Sequence, residues 1–239
     1  MAQELLFKRV LLKISGESLK GKQDFGYEGE AVRSVVARIA EAMKMGVEIA
    51  LVVGAGNIWR GQTGAGGGMN RVTADHMGML ATIMNALRLK DAFAAEGIKA
   101  NVHCSVDMQP FAKQFDHGAA DEQLKRGELV IFAGGTGSPY FTTDTTAALR
   151  ALEVNGGAVM KATKVNGIYT ADPMKDPTAK KFDKLTFAEA ISGRFKVMDS
   201  AAFSLCSDNN LAIIVFNFDE PGALAKVLAG DYSVGTVVS

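Results

Sequence analysis

Proline, cysteine and net charge are what this sequence has least of, and each shortage excludes something. There are 5 prolines in 239 residues, against roughly 12 at average usage, so proline-rich linkers and extended recognition tracts are excluded. Two cysteines, Cys104 and Cys206, stand far apart with no second Cys or His at metal-ligand spacing. They read as reduced, structural thiols of an intracellular protein, not as a disulfide framework or a zinc site. Lys plus Arg and Asp plus Glu are 26 each, so the formal charge is zero. That argues against a nucleic-acid or anionic-membrane partner, which would want a basic face. It leaves room for a small anion held by a few local charges. No stretch approaches about 18 unbroken apolar residues, so no helical membrane span is expected. Lys8, Arg9 and Lys13 break up the N-terminal apolar run, which argues against a signal peptide and for a cytoplasmic location. His76, His103 and His117 show no metal spacing, and no metal site is expected.

Glycine is what the chain has in surplus: 26 residues, against roughly 17 at average usage. Its placement follows the strands. Arg9–Ile14 (RVLLKI), Glu48–Val53 (EIALVV), Lys99–His103, Leu129–Ala133 (LVIFA) and Ala212–Phe216 (AIIVF) read as strands, several apolar throughout. Between them lie helical patterns: Val32–Met43 ending at Gly46, Thr73–Glu96 ending at Gly97, two shorter patterns in Asp107–Arg126, Thr143–Val154 and Met198–Asn209. The apolar face of the second helix is expected at Met79, Leu80, Ile83, Met84 and Leu87. Pro221 is expected to open a last helix running to Leu228. Asn166-Gly167 signals a tight hairpin, and Thr186-x-x-Glu189 a capping box. Strands alternating with helices, several of them apolar on both faces, predict a three-layer αβα sandwich around a mainly parallel sheet. The chain is expected to form one domain over residues 1–239.

In open parallel sheets ligands bind at the C-terminal strand ends. Glycine turns occur at three such ends: Gly16, Gly54/Gly56 and Gly134/Gly135/Gly137. Bare backbone N–H groups in such loops close on phosphate oxygens. Gly16–Gln23 (GESLKGKQ) imitates a P-loop, but Gln23 replaces the Ser or Thr that would hold Mg²⁺, and no helix follows at once. Lys13 and Arg60 flank the first two turns, and Lys161 and Lys164 flank the strand VMK. Point charges of this kind suit phosphoryl transfer. Lys161, taken by itself, reads as a solvated surface lysine; Lys13, locked between an apolar strand and a glycine turn, reads as functional. Gly64, Gly66, Gly67 and Gly68 exceed what a tight turn needs and are read as a mobile flap.

Five segments carry a family resemblance: Leu12–Glu17 (LKISGE), Val53–Arg60 (VGAGNIWR), Met69–Ala81 (MNRVTADHMGMLA), Gly134–Asp144 (GGTGSPYFTTD) and Lys161–Pro173 (KATKVNGIYTADP). They resemble the signatures of bacterial-type UMP kinases of the amino-acid-kinase fold. The resemblance implies transfer of the ATP γ-phosphoryl group to UMP, in pyrimidine nucleotide biosynthesis. It implies that Lys13, Ile14, Ser15 and Gly16 line the ATP phosphates with Gly56 and Arg60 alongside. Thr163, Asn166, Tyr169 and Asp172 would hold the adenine end. Ala55 and Asp75 would touch UMP, and Thr136, Gly137, Ser138, Pro139, Tyr140, Phe141, Thr142 and Thr143 would wrap it. Asp144 and Asp199 would orient the site lysines, and Lys13, Arg60, Asp144, Lys164 and Asp199 form the implied catalytic set. Residues 1–160 would mainly bind UMP and 161–239 mainly ATP. Mg²⁺ would ride on the nucleotide phosphates. The resemblance also implies a homohexamer regulated by GTP and UTP. Ala55 departs from the family's usual glycine, and keeps a backbone contact if its φ stays negative. Two alternatives stay open: a nucleotide-binding or storage protein on the same fold, and a sister kinase acting on CMP or a small acid phosphate.

Overall fold

The structure is a computed structural model, and it describes residues 5–60, 67–195 and 198–239. Nine strands form one sheet: β1 (Arg9–Ile14), β2 (Glu48–Val53), β3 (Ala100–Cys104), β4 (Lys113–Gln114), β5 (Leu129–Ala133), β6 (Ala158–Thr163), β7 (Lys184–Leu185), β8 (Ala212–Asn217) and β9 (Gly235–Val238). Their order is β4-β3-β5-β2-β1-β6-β8-β9-β7. Neighbours run parallel except β8 and β9, which are antiparallel. The sheet is thus mainly parallel, as its apolar strands predicted.

Among the described residues seven helices cover it: α1 (Gly29–Met43), α2 (Arg71–Ala95), α3 (His117–Lys125), α4 (Thr143–Glu153), α5 (Phe187–Ser192), α6 (Ser200–Asp208) and α7 (Ala223–Leu228). Two apolar cores result. Val10, Leu12 and Ile14 of β1 pack with Val35 and Ile39 of α1, Leu89 and Phe93 of α2 and Leu224 of α7. Leu11 of β1 faces the other way, with Leu124 of α3, Ala147 and Ala151 of α4 and Cys206 of α6. This period-two division of β1 sends Lys13 to the α4 face, which positions the site. Both cysteines are buried thiols, and burial pushes Cys206 up to about 12.

Four local expectations fail, each for a tertiary reason. Asn166-Gly167 forms no hairpin, because β6 takes parallel partners on both sides. Gly167 instead adopts φ +134° against β9, where a Cβ would meet Thr236 Oγ1 at 2.3 Å. Only one helix occurs in Asp107–Arg126; Met108 and Ala112 are joined by an isolated bridge instead. The last helix begins at Ala223, with Gly222 at φ +75° as its N-cap, so Pro221 stays outside. On α2 the expected apolar face holds only in part: Ile83 is buried and Met79 and Leu87 are half-buried, but Leu80 and Met84 are exposed, while Ala81, Thr82, Asn85 and Ala86 face inward. Toward its N-terminal half the inner face lies against glycine loops, where Ala81, Thr82, Asn85 and Ala86 fit, while Ile83, Leu89 and Phe93 reach the apolar core. The capping box at Thr186 and Glu189 forms as read. Gly16–Leu19 is a 3₁₀ turn rather than the start of an α-helix, as the missing P-loop hydroxyl implied. Gly67 and Gly68 lie in a turn, whereas Gly64 and Gly66 of the expected flap lie outside the described residues.

Candidate functional site

Lys13 and Lys161 are register partners on the adjacent parallel strands β1 and β6. Like charges side by side on one sheet face repel and destabilise. Asp144, in the first turn of α4, sits between them. Its Oδ2 accepts a hydrogen bond from Lys161 Nζ at 2.7 Å. Its Oδ1 lies 2.9 Å from Lys13 Nζ as an ion pair without hydrogen-bond alignment. Burial pushes the Asp144 carboxyl up, but the two ammonium groups outweigh it and hold it below the ordinary value. The three groups together carry one net positive charge at the positive end of a helix dipole. Lys161, which by itself reads as a surface lysine, is therefore a member of the cluster. Lys164 is exposed and makes no hydrogen bond or ion pair among the described residues.

The glycine turns close around this cluster. A Cβ on Gly16 would lie 2.3 Å from Gly54 O and 2.5 Å from Asn57 Oδ1. Only glycine allows the first two loops to meet so closely. A buried amide pair fixes them: Asn85 Nδ2 donates to Asn57 Oδ1 at 2.8 Å and to Gly54 O at 2.7 Å. Asn57 Nδ2 donates to Asn85 Oδ1 and to Gly26 O, both at 3.0 Å. Ser15 caps the 3₁₀ turn through Glu17 N–H. Ile14 is fully buried, so it can meet a ligand only through its backbone. Gly56 packs beside Glu17, and Glu17 pairs with the exposed Arg60. Ala55 is not among the residues at positive φ, which meets the condition set for it.

Two clefts lie beside the cluster, one lined by Thr142 and Thr143 next to Asp144 and one by Lys161 itself. The first, of about 180 Å³, is lined by Ala55, Asp75, Thr136, Phe141, Thr142 and Thr143, with Trp59, Arg71, Met79 and Thr82. Asp75 accepts from Arg71 Nε at 2.8 Å and from Tyr140 N–H at 2.8 Å. The second bond draws the 134–143 loop over the cleft, with Tyr140 at φ +72° and the Arg71 guanidinium 5.4 Å from its ring. Ser138 N–H donates to Thr136 Oγ1; Pro139 and Gly137 continue the same loop. Thr142 caps α4, donating its hydroxyl to Asp199 and accepting from Asp144 N–H at 3.0 Å. Asp199 also accepts from Thr145 Oγ1 at 3.0 Å and Ala202 N–H at 2.9 Å. It therefore ties α6 to the α4 terminus through hydroxyls and an amide, while Asp144 meets the lysines directly.

The second cleft, of about 500 Å³, is lined by Lys161, Thr163, Tyr169 and Asp172 together with Arg194 and Phe195. Thr163 Oγ1 donates to Val165 O at 2.8 Å. Asn166 is half-buried in the same loop. Among the described residues no group of three or more His, Cys, Asp or Glu is placed to hold a metal ion, and no helix is long and apolar enough to cross a membrane.

Sequence reasoning missed Lys161, Thr82, Asn57 and Asn85. Asn57 lies within the quoted VGAGNIWR motif, and Thr82 and Asn85 are three apart on a helix whose inner face was misread. A polar pair at helical spacing beside two glycine turns was the available signal.

The sequence pattern of the amino acid kinase family matches residues 8–217. The chain is 35% identical to a solved UMP kinase from Bacillus anthracis, with a TM-score of 0.94 over 98% of this chain and 96% of that one. A UMP kinase from Ureaplasma parvum is 33% identical, with a TM-score of 0.91 over 97% and 98%. A uridylate kinase from Archaeoglobus fulgidus is 26% identical, with a TM-score of 0.71 over 96% and 99%.

Proposed function

The chain belongs to the amino acid kinase family, and we propose that it is a UMP kinase, moving the ATP γ-phosphoryl group to UMP in pyrimidine nucleotide biosynthesis. One observation supports this reading beyond the likeness: Lys13, Asp144 and Lys161 stand together beside both clefts, for Thr142 and Thr143 next to Asp144 in the chain line the first and Lys161 lines the second. The first cleft is the UMP side, with Asp75 taking ribose hydroxyls and residues 136–143 wrapping the nucleotide. The second is the ATP side, with Thr163, Asn166, Tyr169 and Asp172 at the adenine end. Residues 1–160 thus serve mainly UMP and 161–239 mainly ATP.

Little covalent chemistry is asked of the protein. The UMP phosphate is already ionised and attacks without a strong general base. Catalysis then rests on in-line placement and on positive charge where negative charge develops. Lys13 neutralises the transferring group, and Asp144 fixes the ammonium groups so that none must reorganise. The Gly16 and Gly54–Gly56 turns offer backbone N–H groups to phosphate oxygens. Arg60 and Lys164 stand at the rim as exposed cations. Asp199 holds the α4 terminus through Thr142 and Thr145. Mg²⁺ binds hard phosphate oxygens and would come with the nucleotide, adding charge neutralisation.

The family resemblance supports a cytoplasmic homohexamer with GTP and UTP as effectors. Leu80 and Met84, half-exposed on α2, suit a face covered by another copy. The decisive experiment measures ADP release with UMP, CMP and isopentenyl phosphate side by side. Preferred turnover of UMP is expected. Preference for another acceptor would make the chain a sister kinase, and ATP binding with no ADP release would make it a storage protein.

A further inference from the structure

The 134–137 loop has a problem that its own sequence cannot solve. Gly134, Gly135 and Gly137 sit at φ +78°, +60° and +82°. Glycines reach such angles freely, but for the same reason they leave them freely. Side chains from elsewhere must therefore hold the loop. Thr82 Oγ1 accepts from Gly134 N–H at 2.9 Å, and Tyr140 N–H binds Asp75. Between these two anchors the loop accepts a side-chain hydrogen bond from Ser105, just beyond β3.

Ser105 Oγ donates to Gly135 O at 2.5 Å. A Cβ built on Gly137 would lie 3.3 Å from Ser105 O, so Ser105 also supports that glycine sterically. A serine hydroxyl can rotate, and its direction is set by what donates to it. Arg150 NH2 donates to Ser105 Oγ at 2.8 Å. That fills an oxygen lone pair and turns the hydroxyl proton toward the Gly135 carbonyl. Arg150 is itself immobilised. It is 6% exposed, its charge meets Glu153 at 2.5 Å, and its guanidinium lies 4.1 Å from the Phe115 ring centroid and 5.8 Å from that of Phe132. A donor fixed in this way polarises the next bond along the chain. The relay Arg150–Ser105–Gly135 begins in the α4 core and ends on a residue that lines the first cleft.

We infer that Ser105 and Arg150 are positioning residues for the acceptor nucleotide: they hold the glycine loop in its binding shape and so set the affinity for UMP. The inference rests on the assignment of the first cleft to UMP. Neither residue lines either cleft, so neither is a catalytic residue. A preformed loop spares the ligand the ordering cost it would otherwise meet on binding. Loss of the relay should therefore weaken acceptor binding and leave the ATP side untouched.

The test is steady-state kinetics of Ser105→Ala, with both substrates varied. Removing one hydroxyl from a half-buried site is mild enough to keep the fold. The KM for UMP should rise about fivefold to tenfold, as one lost hydrogen bond allows, with kcat and the KM for ATP within twofold of wild type. Ser105→Thr, which keeps the hydroxyl, should restore most of the UMP affinity. Arg150→Gln added to Ser105→Ala should raise the KM for UMP by less than the product of the two single effects, because both act through one bond. An unchanged KM for UMP in Ser105→Ala, or a parallel rise for both nucleotides, overturns the inference. Absence of UMP turnover in the wild type would instead overturn the UMP assignment itself, so the two failures are distinguishable.

Discussion

The two clefts are built in opposite ways. The first draws its walls from residues 55–59, 71–82 and 135–143, which belong to different crossovers of the sheet. Its polar groups are already engaged, as Asp75 is by Arg71 and Tyr140. The second takes most of its wall from one stretch, residues 161–173, the end of β6 and the loop after it. Its loop is braced both locally and from the sheet, as Thr163 Oγ1 reaches Val165 O at 2.8 Å and Phe216 O of β8 at 3.1 Å. A cleft assembled from distant pieces is pre-organised by tertiary contacts. A cleft made by one loop depends on that loop. Mutations should therefore act more specifically in the first.

The largest effect is expected at the cluster beside both clefts. Lys13→Ala should keep the fold and lower kcat by about a hundredfold or more, in line with the loss of one charge aimed at the transition state. Wild-type turnover in the purified variant would remove Lys13 from the mechanism. Next, Asp75→Ala should raise the KM for UMP by about tenfold and that for ATP far less, since it touches only the first cleft. Equal effects would erase the distinction between the clefts. Thr163→Val should do the reverse, raising the KM for ATP a few-fold through loss of the loop brace at about the value of one hydrogen bond.

A smaller effect concerns acid. The folded Asp144 carboxyl lies below its ordinary value, so the folded state binds fewer protons than the unfolded one. Its contribution is complete above about pH 4 and is lost as pH falls through the lower folded value. Asp121, held at about 2 by Lys125 and Arg9, and Glu128, held at about 2 by Arg126 and Lys99, act in the same direction. Asp144→Asn should therefore flatten, without abolishing, the fall in stability from about pH 4 to about pH 3, read by urea unfolding. The smallest effect is expected away from both clefts. Thr186→Ala breaks the α5 capping box and should cost about 1 kcal/mol of stability with unchanged kinetics.

The sequence made the second cleft more legible than the first. Thr163, Tyr169 and Asp172 stand close together in one quoted motif and line one cavity. The first cleft was legible in its loops, Ala55 and Thr136–Thr143, because glycine turns after apolar strands announce themselves. Its supports were not. Thr82, Asn85, Ser105 and Arg150 act from a helix face or a strand end, and no local pattern marks them. Lys161 was misjudged for the same reason: alone it is an ordinary lysine, and its meaning comes from the register that sets it beside Lys13.

By itself the sequence determined β1, β2, β3, β5, β6 and β8, most of the helices, the glycine turns and the cations near them. These follow from short-range physics: side-chain periodicity, backbone freedom and capping. Only the tertiary structure decided that β6 pairs in parallel with β1, that one carboxylate serves two lysines, and that a serine after β3 holds a glycine loop after β5. Such contacts join residues up to 148 positions apart, as Lys13 and Lys161 are. No window along the chain records them, because they exist only once the sheet has brought its strand ends together.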